Sequence, residues 1–180
     1  MTRYLKINDE VVYATDAIVQ VNRHDIGELV AQAVHNPRRR IRLCSHKNVE
    51  DKLHEMLIVH TRDTYIRPHK HPGKTESFHV MEGAADLIIF DEAGAVADVI
   101  RMGDYASGKT FYYRTADAYY HTQLIRSEVI VFHEATNGPF NRSDTVFAPW
   151  GPEESDATAR QQFDKRVEGE VASFLRRRNA

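Results

Sequence analysis

The sequence predicts a mainly β protein built on a sandwich or barrel, with a small α/β segment before it and a helix after it. Three observations lead there. From about Leu53 to Ala135 short apolar-polar runs follow one another with turn residues between them: HEMLIVHT, TYIRPHKH, ESFHVMEG, ADLIIFD, AVADVIRMG, FYYRT, YYHTQLI and EVIVFHEA. Strands at roughly 8–12-residue spacing, with no long helical pattern between them, indicate a sandwich or barrel rather than a parallel α/β sheet. Both flanks change period, to the helical one.

Taken in order, YLKINDEVVYA reads as a hairpin turning at Asn8 and Asp9. In HDIGELVAQAVHNP the residues Ile26, Leu29, Val30, Ala33 and Val34 recur at helical spacing, and Asn36 with Pro37 ends the helix. After the Pro- and Gly-rich loop NGPFNRSDTVFAPWGPEE, the residues Phe163, Val167, Val171 and Phe174 form one stripe on a helix whose last turn is basic. That stripe is expected to serve packing or a dimer contact. The expected division is residues 1–52 as an α/β extension, 53–154 as the barrel and 155–180 as the C-terminal helix.

At 180 residues the chain suits one domain plus an extension. Its 28% charged and 42% hydrophobic content exclude a disordered chain, and a net charge of −2 gives no electrostatic case for nucleic acid. Nothing apolar is long enough to span a membrane, and the N-terminus lacks a secretory h-region. Cys44 stands alone, so neither a disulfide framework nor a thiolate zinc site is expected, and the setting reads as reducing and cytoplasmic.

The chemistry concentrates in YIRPHKHPGKTESFHVMEG, residues 65–83. On a strand, alternate residues share a face, so Arg67, His69 and His71 line up; Pro72 and Gly73 turn the chain, and Glu76 opens the return strand. Two imidazoles and a carboxylate facing a barrel interior are costly to bury unless a cation compensates them. His121, in YYHTQL, supplies a fourth donor. Arg67 beside such a cation argues for an anion between them. Tyr65 and Gln123 complete the candidate substrate-binding set.

A two-residue turn at Arg126 and Ser127 would pair YYHTQLI with EVIVFHEA and put Glu134 inside, near His121; a three-residue turn would bring His133 inward instead. Glu134 is favoured as the proton-handling residue. His79 has outward parity. His24, His35, His46, His54 and His60 lack a partner pattern and are expected at the surface or outside the coordination sphere. Arg38, Arg39, Arg40 and Arg42 read as a solvated face or an anion-binding run.

His69-x-His71-x4-Glu76-x6-Gly83 resembles the first motif of the cupin superfamily, with the strand of His121 standing where the second belongs. The chain is most similar to small cupin-fold metalloproteins of the WbuC type, which tend to be encoded with O-antigen and capsule genes. NPRRRIRLCSHK, the metal segment, FHEATNGPF and DTVFAPW carry that resemblance. It implies a double-stranded β-helix, one divalent metal (Fe, Mn, Zn, Ni or Co) held by His69, His71, Glu76 and His121, and a homodimer. The chain departs from the motif at Ala116, Asp117 and Ala118, where a Pro-x-Gly is usual, and at Ile125, where an Asn is frequent. Three functions fit: a Lewis-acid isomerase, epimerase or lyase acting on a sugar or activated sugar, an iron-dependent dioxygenase, or a non-catalytic binder of a small polar or anionic ligand.

Overall fold

The computed structural model describes residues 3–178. The N-terminal segment contributes β1 (Tyr4–Asn8) and β2 (Val11–Ala14), α1 (Arg23–His35) and β3 (Arg40–Cys44). Asn22 caps α1 by accepting from the backbone N–H groups of His24 and Asp25, while the buried Asp25 carboxylate accepts from the N–H of Asn22. That reciprocal cap satisfies donors which the first helical turn leaves unpaired. Asn36 ends the helix as the sequence predicts.

The barrel comprises β4 (Leu53–Thr61), β5 (His69–Lys70), β6 (Glu76–Glu82), β7 (Ala84–Phe90), β8 (Val96–Gly103), β9 (Tyr112–Thr115), β10 (Tyr120–Ile125), β11 (Val129–Asn137) and β12 (Val146–Phe147). Two sheets result, ordered β1-β2-β3-β4-β11-β6-β9 and β12-β5-β10-β7-β8. Only β2 and β3 among these strand pairs run parallel. From β4 to β12 the chain keeps crossing between the sheets, which is the expected jelly-roll barrel. Gly83 sits at one crossing with φ +86°, and a Cβ there would collide with the carbonyl oxygen of Val129. Only glycine suits both requirements.

Three apolar layers follow from strand alternation. Ile41, Leu43, Val59 and Val131 face outward against Leu29 and Ala33 of α1. Cys44, Met56, Ile58, Phe78, Val80, Leu87, Ile125, Ile130 and Phe132 fill the space between the sheets. Ile88, Phe90, Val99 and Tyr120 face α2 (Ala157–Arg178), which buries Phe163, Val167 and Val171 on them. Each of those helix side chains contributes about 1.5–3 kcal/mol by leaving water. Arg126 fastens this layer, bonding Asp86 of β7 at 2.7 Å and Glu168 of α2 at 2.5 Å.

Two expectations require correction. β10 and β11 do not form a hairpin: β10 pairs with β7 and β5, whereas β11 pairs with β4 and β6. Arg126 and Ser127 carry the chain from one sheet to the other, tied by the Arg126 N–H to the Ala84 carbonyl and by the Glu128 carbonyl to the Arg62 N–H. The run TYIRPHKH is not a continuous strand either. Residues 64–68 are irregular, and β5 spans His69 and Lys70 alone. Pro68 has no N–H to give to a ladder, so alternation stops at that point.

Candidate metal centre

His69 on β5 lies directly opposite His121 on β10, and His71 follows on the same side. Their candidate ligand nitrogens all lie within 4.8 Å of one another. Glu76, the first residue of β6, comes in from the other sheet: its carboxylate oxygens lie 3.3 Å from His71 Nε2 and 3.7 Å from His121 Nε2. All four residues expected as ligands are brought together.

The opposite ring nitrogen of each histidine explains the convergence. His69 Nδ1 lies 2.8 Å from the Arg67 carbonyl oxygen, His71 Nδ1 3.1 Å from that of Asp144, and His121 Nδ1 3.0 Å from that of Tyr119. A carbonyl can only accept, so each Nδ1 carries the proton and each Nε2 presents a lone pair. Three lone pairs and a carboxylate facing one point repel one another unless a cation stands among them. Burial also holds the imidazoles neutral, moving His69 and His71 below their ordinary range and His121 down to about 4. Burial pushes Glu76 up to about 7 in the absence of a cation, with Lys74 opposing the rise. This donor set fits a divalent ion.

The turn carrying His71 is latched from below. Lys74 Nζ donates to the carbonyls of Asn137 and Pro139, both at 2.9 Å, and lies 3.2 Å from Asp144 Oδ2. Thr75 N–H donates to the Asn137 side chain at 2.7 Å. β12 flanks β5, placing Phe147 opposite His69. These contacts give structural roles to the stretches 132–140 and 144–150. The three carbonyl acceptors, being backbone atoms, leave no signature in residue type.

Glu134 is inside, for a reason other than the expected hairpin: it alternates with Ile130 and Phe132 on the inner face of β11. Burial pushes it up to about 8, the Glu76 carboxylate adds to the rise, and Arg42 and His71 oppose it. Gln123 is buried two residues from His121, and its Oε1 has no hydrogen-bond partner.

Arg67 and Tyr65 are engaged elsewhere. The Arg67 guanidinium pairs with Glu153 at 2.6 Å, donates to the Gly151 carbonyl and lies 4.7 Å over the Phe147 ring, so its charge does not require a ligand. The Tyr65 hydroxyl donates to the Pro152 carbonyl, and its ring packs edge-on against Phe163 of α2. Strand parity predicts Arg67 beside the metal, and parity fails in the irregular residues 64–68. Arg38 and Arg40 clamp Glu10 to Glu154. His46, His54 and His60 are buried rather than superficial.

Residues 21–102 match the model of a family described as a domain of unknown function (DUF6016). No curated protein matches the chain. Among solved structures, the capsular polysaccharide assembling protein CapF of Staphylococcus aureus is 16% identical with a TM-score of 0.50, over 62% of this chain and 32% of that one. The Cnp3 cupin domain of Schizosaccharomyces pombe is 12% identical with a TM-score of 0.43, over 57% of this chain and 63% of that one. An oxalate decarboxylase of Bacillus subtilis is 18% identical with a TM-score of 0.41, over 55% of this chain and 24% of that one. The chain thus spans about a third of the length of CapF and a quarter of that of the decarboxylase. At these identities the likeness is one of fold, and the fold is the cupin barrel.

Proposed function

We propose that the protein binds one divalent ion through His69, His71, Glu76 and His121 and applies that centre to a small polar, anionic ligand, as a metal-dependent isomerase, epimerase or lyase acting on a sugar or activated sugar. The observation that carries this reading is the anchoring of three Nδ1 atoms on backbone carbonyls, which presets three neutral Nε2 donors toward one carboxylate. Fe, Mn, Zn, Ni and Co all suit three imidazoles and a carboxylate. Such an ion supplies Lewis-acid polarisation of a bound oxygen.

The chain's own residues supply the rest. Glu134, inside the barrel and without a hydrogen-bond partner among the described residues, is placed to take a proton on its carboxylate and return it. Gln123 offers an amide from the same inner face as His121. Glu76 and Gln123 are buried, and a low local dielectric strengthens the interactions they make. The sugar assignment rests on the WbuC-type resemblance of four stretches, and the likeness to CapF adds the fold alone. A cytoplasmic homodimer belongs to the same reading.

The test is metal analysis of protein purified rapidly without oxygen. One equivalent in the wild type, lost in His69→Ala and in His71→Ala with the circular-dichroism spectrum retained, supports the site. A full equivalent in both variants would place it elsewhere. Iron as the native metal would replace Lewis-acid chemistry with dioxygen chemistry.

A further inference from the structure

We infer that Phe147 is the stacking platform for the organic ligand of the metal centre, and that this ligand is a sugar acid in its pyranose form, with its carboxylate on the ion and the C–H face of its ring on the phenyl ring. The inference rests on the metal reading above and adds the group that recognises the shape of the ligand.

Residues 144–147 run along one side of the centre. The Asp144 carbonyl oxygen and the Thr145 hydroxyl lie 3.1 and 3.3 Å from His71 Nδ1. Two residues on, Phe147 stands directly opposite His69 in the ladder of β12 and β5, so the two side chains share a face, and their ring centroids are 6.2 Å apart. β12 is an edge strand of the smaller sheet, so no further strand of that sheet covers Phe147. The side chain is accordingly 49% exposed. It is nonetheless held in place. The Arg67 guanidinium lies 4.7 Å over the ring and backs one face, fixed there by Glu153 and the Gly151 carbonyl. The N–H of the next residue, Ala148, donates to the Pro68 carbonyl at 2.9 Å.

Exposure alone does not single this ring out, since Tyr105, Phe111 and Tyr112 are exposed as well. Those three belong to the far sheet and its connection, where Phe111 packs on Tyr105 and His79. Among the described residues, Phe147 is the one exposed aromatic whose ring contacts an expected metal ligand. An aromatic face carries negative charge density and attracts the polarised C–H groups of a flat ligand. A short acyclic chelator would engage the ion without reaching the phenyl ring. A six-membered ring joined to the chelating carboxylate would extend beside His69, where Phe147 stands. Equatorial hydroxyls leave the faces of a pyranose apolar, so it can lie on the phenyl ring while those hydroxyls keep their water at the open rim.

The experiment is calorimetric titration of the metal-loaded protein with D-glucuronate and with glycolate, which offers a carboxylate and a neighbouring oxygen but no ring. The wild type should bind D-glucuronate at one per chain and more tightly than glycolate. Phe147→Ala should weaken D-glucuronate by about three- to tenfold and leave glycolate unchanged, whereas Phe147→Trp should bind D-glucuronate at least as well as the wild type. Tyr112→Ala, which removes an exposed ring opposite His79, should change neither probe. Metal content and the circular-dichroism spectrum are measured on every variant. Undiminished D-glucuronate binding in Phe147→Ala, or equal losses toward both probes, would overturn the platform and leave the metal reading standing. So would a wild type that holds its metal but does not bind D-glucuronate. Salicylate supplies a planar aromatic chelator: if it depends on Phe147 and D-glucuronate does not, the sugar assignment falls. If the wild type holds no metal, the metal reading falls first and the platform with it.

Discussion

Buried histidines occupy two regions of this barrel. At the metal end, His69, His71 and His121 each donate Nδ1–H to a backbone carbonyl and turn Nε2 toward Glu76. Away from it, His60 stacks edge-on against Phe132 at 5.2 Å and its Nδ1 has no partner, while His46 and His54 stack on each other at 4.0 Å. Burial lowers the basicity of histidines in both regions, His60 down to about 3. Depressed basicity therefore does not separate a ligand from a core histidine. The fixed tautomer and the convergence of lone pairs do.

The comparison breaks most visibly if a ligand and a core histidine respond alike. His71→Ala should abolish stoichiometric metal, a loss beyond the ~10–100-fold that follows removal of a partner outside the coordination sphere. His60→Leu should leave metal content at one equivalent. Elemental analysis of both purified variants checks this, and equal metal loss would erase the distinction.

The next effect is on stability. His60 is raised in energy when charged, mainly by burial and further by Arg40 and Arg42, so its folded pKa lies below its unfolded one. The unfolded chain then binds more protons between the two values, so stability is present at neutral pH and falls as pH drops below about 6.5. From pH 8 to pH 5 this one residue should cost the wild type about 2 kcal/mol. In His60→Leu that part of the slope should vanish, and stability at pH 7 should not fall, because an unpartnered buried Nδ1 is replaced by apolar surface. Urea melts of both metal-free proteins at pH 5 and 8 measure it. Parallel slopes in wild type and variant would show that His60 does not titrate on unfolding.

A smaller effect belongs to the latch. Lys74→Met removes two bonds to backbone carbonyls and the contact with Asp144, whose own carbonyl orients His71. Metal affinity should fall by about tenfold with the ligands intact. Competition with a chelator reads this change, and an unaltered affinity would mean that the turn holds its position without the lysine.

The distinction between these regions was half legible in the chain. The ligand pattern was, in residue type and spacing: His69, His71 and Glu76 do meet, although β5 and β6 lie in different sheets and the Pro72–Gly73 turn crosses between them instead of returning the strand, and Ile26, Leu29 and Ala33 announced α1. The interior position of Glu134 was reached by a wrong route: β10 and β11 lie in different sheets, and a short polar turn looks the same whether it closes a hairpin or crosses a barrel. The carbonyls of Arg67, Tyr119 and Asp144 were invisible, since every residue has one. His60 looked unpartnered because its partner is packing, which residue spacing does not encode. Arg42 was grouped with Arg38, Arg39 and Arg40 by adjacency, although β3 turns it to the face of Cys44 while Arg38 and Arg40 find Glu10 and Glu154.

The smallest effect expected is that of Arg67, and it sharpens the comparison by testing parity itself. Alternation from His69 put this guanidinium beside the metal, where an unmatched positive charge would oppose cation binding and demand an anion. The irregular backbone at 64–68 instead lets it reach the exposed Glu153, with only 16% of its own side-chain surface accessible. A pair with one partly exposed member is worth roughly 0–1 kcal/mol. The Arg67 carbonyl, not its side chain, serves the site by accepting from His69 Nδ1. Arg67→Ala keeps that carbonyl, so metal content should be unchanged and thermal stability should fall by less than ~1 kcal/mol. A change of metal affinity in Arg67→Ala, in either direction, would restore the parity assignment and return the guanidinium to the metal's side of the barrel.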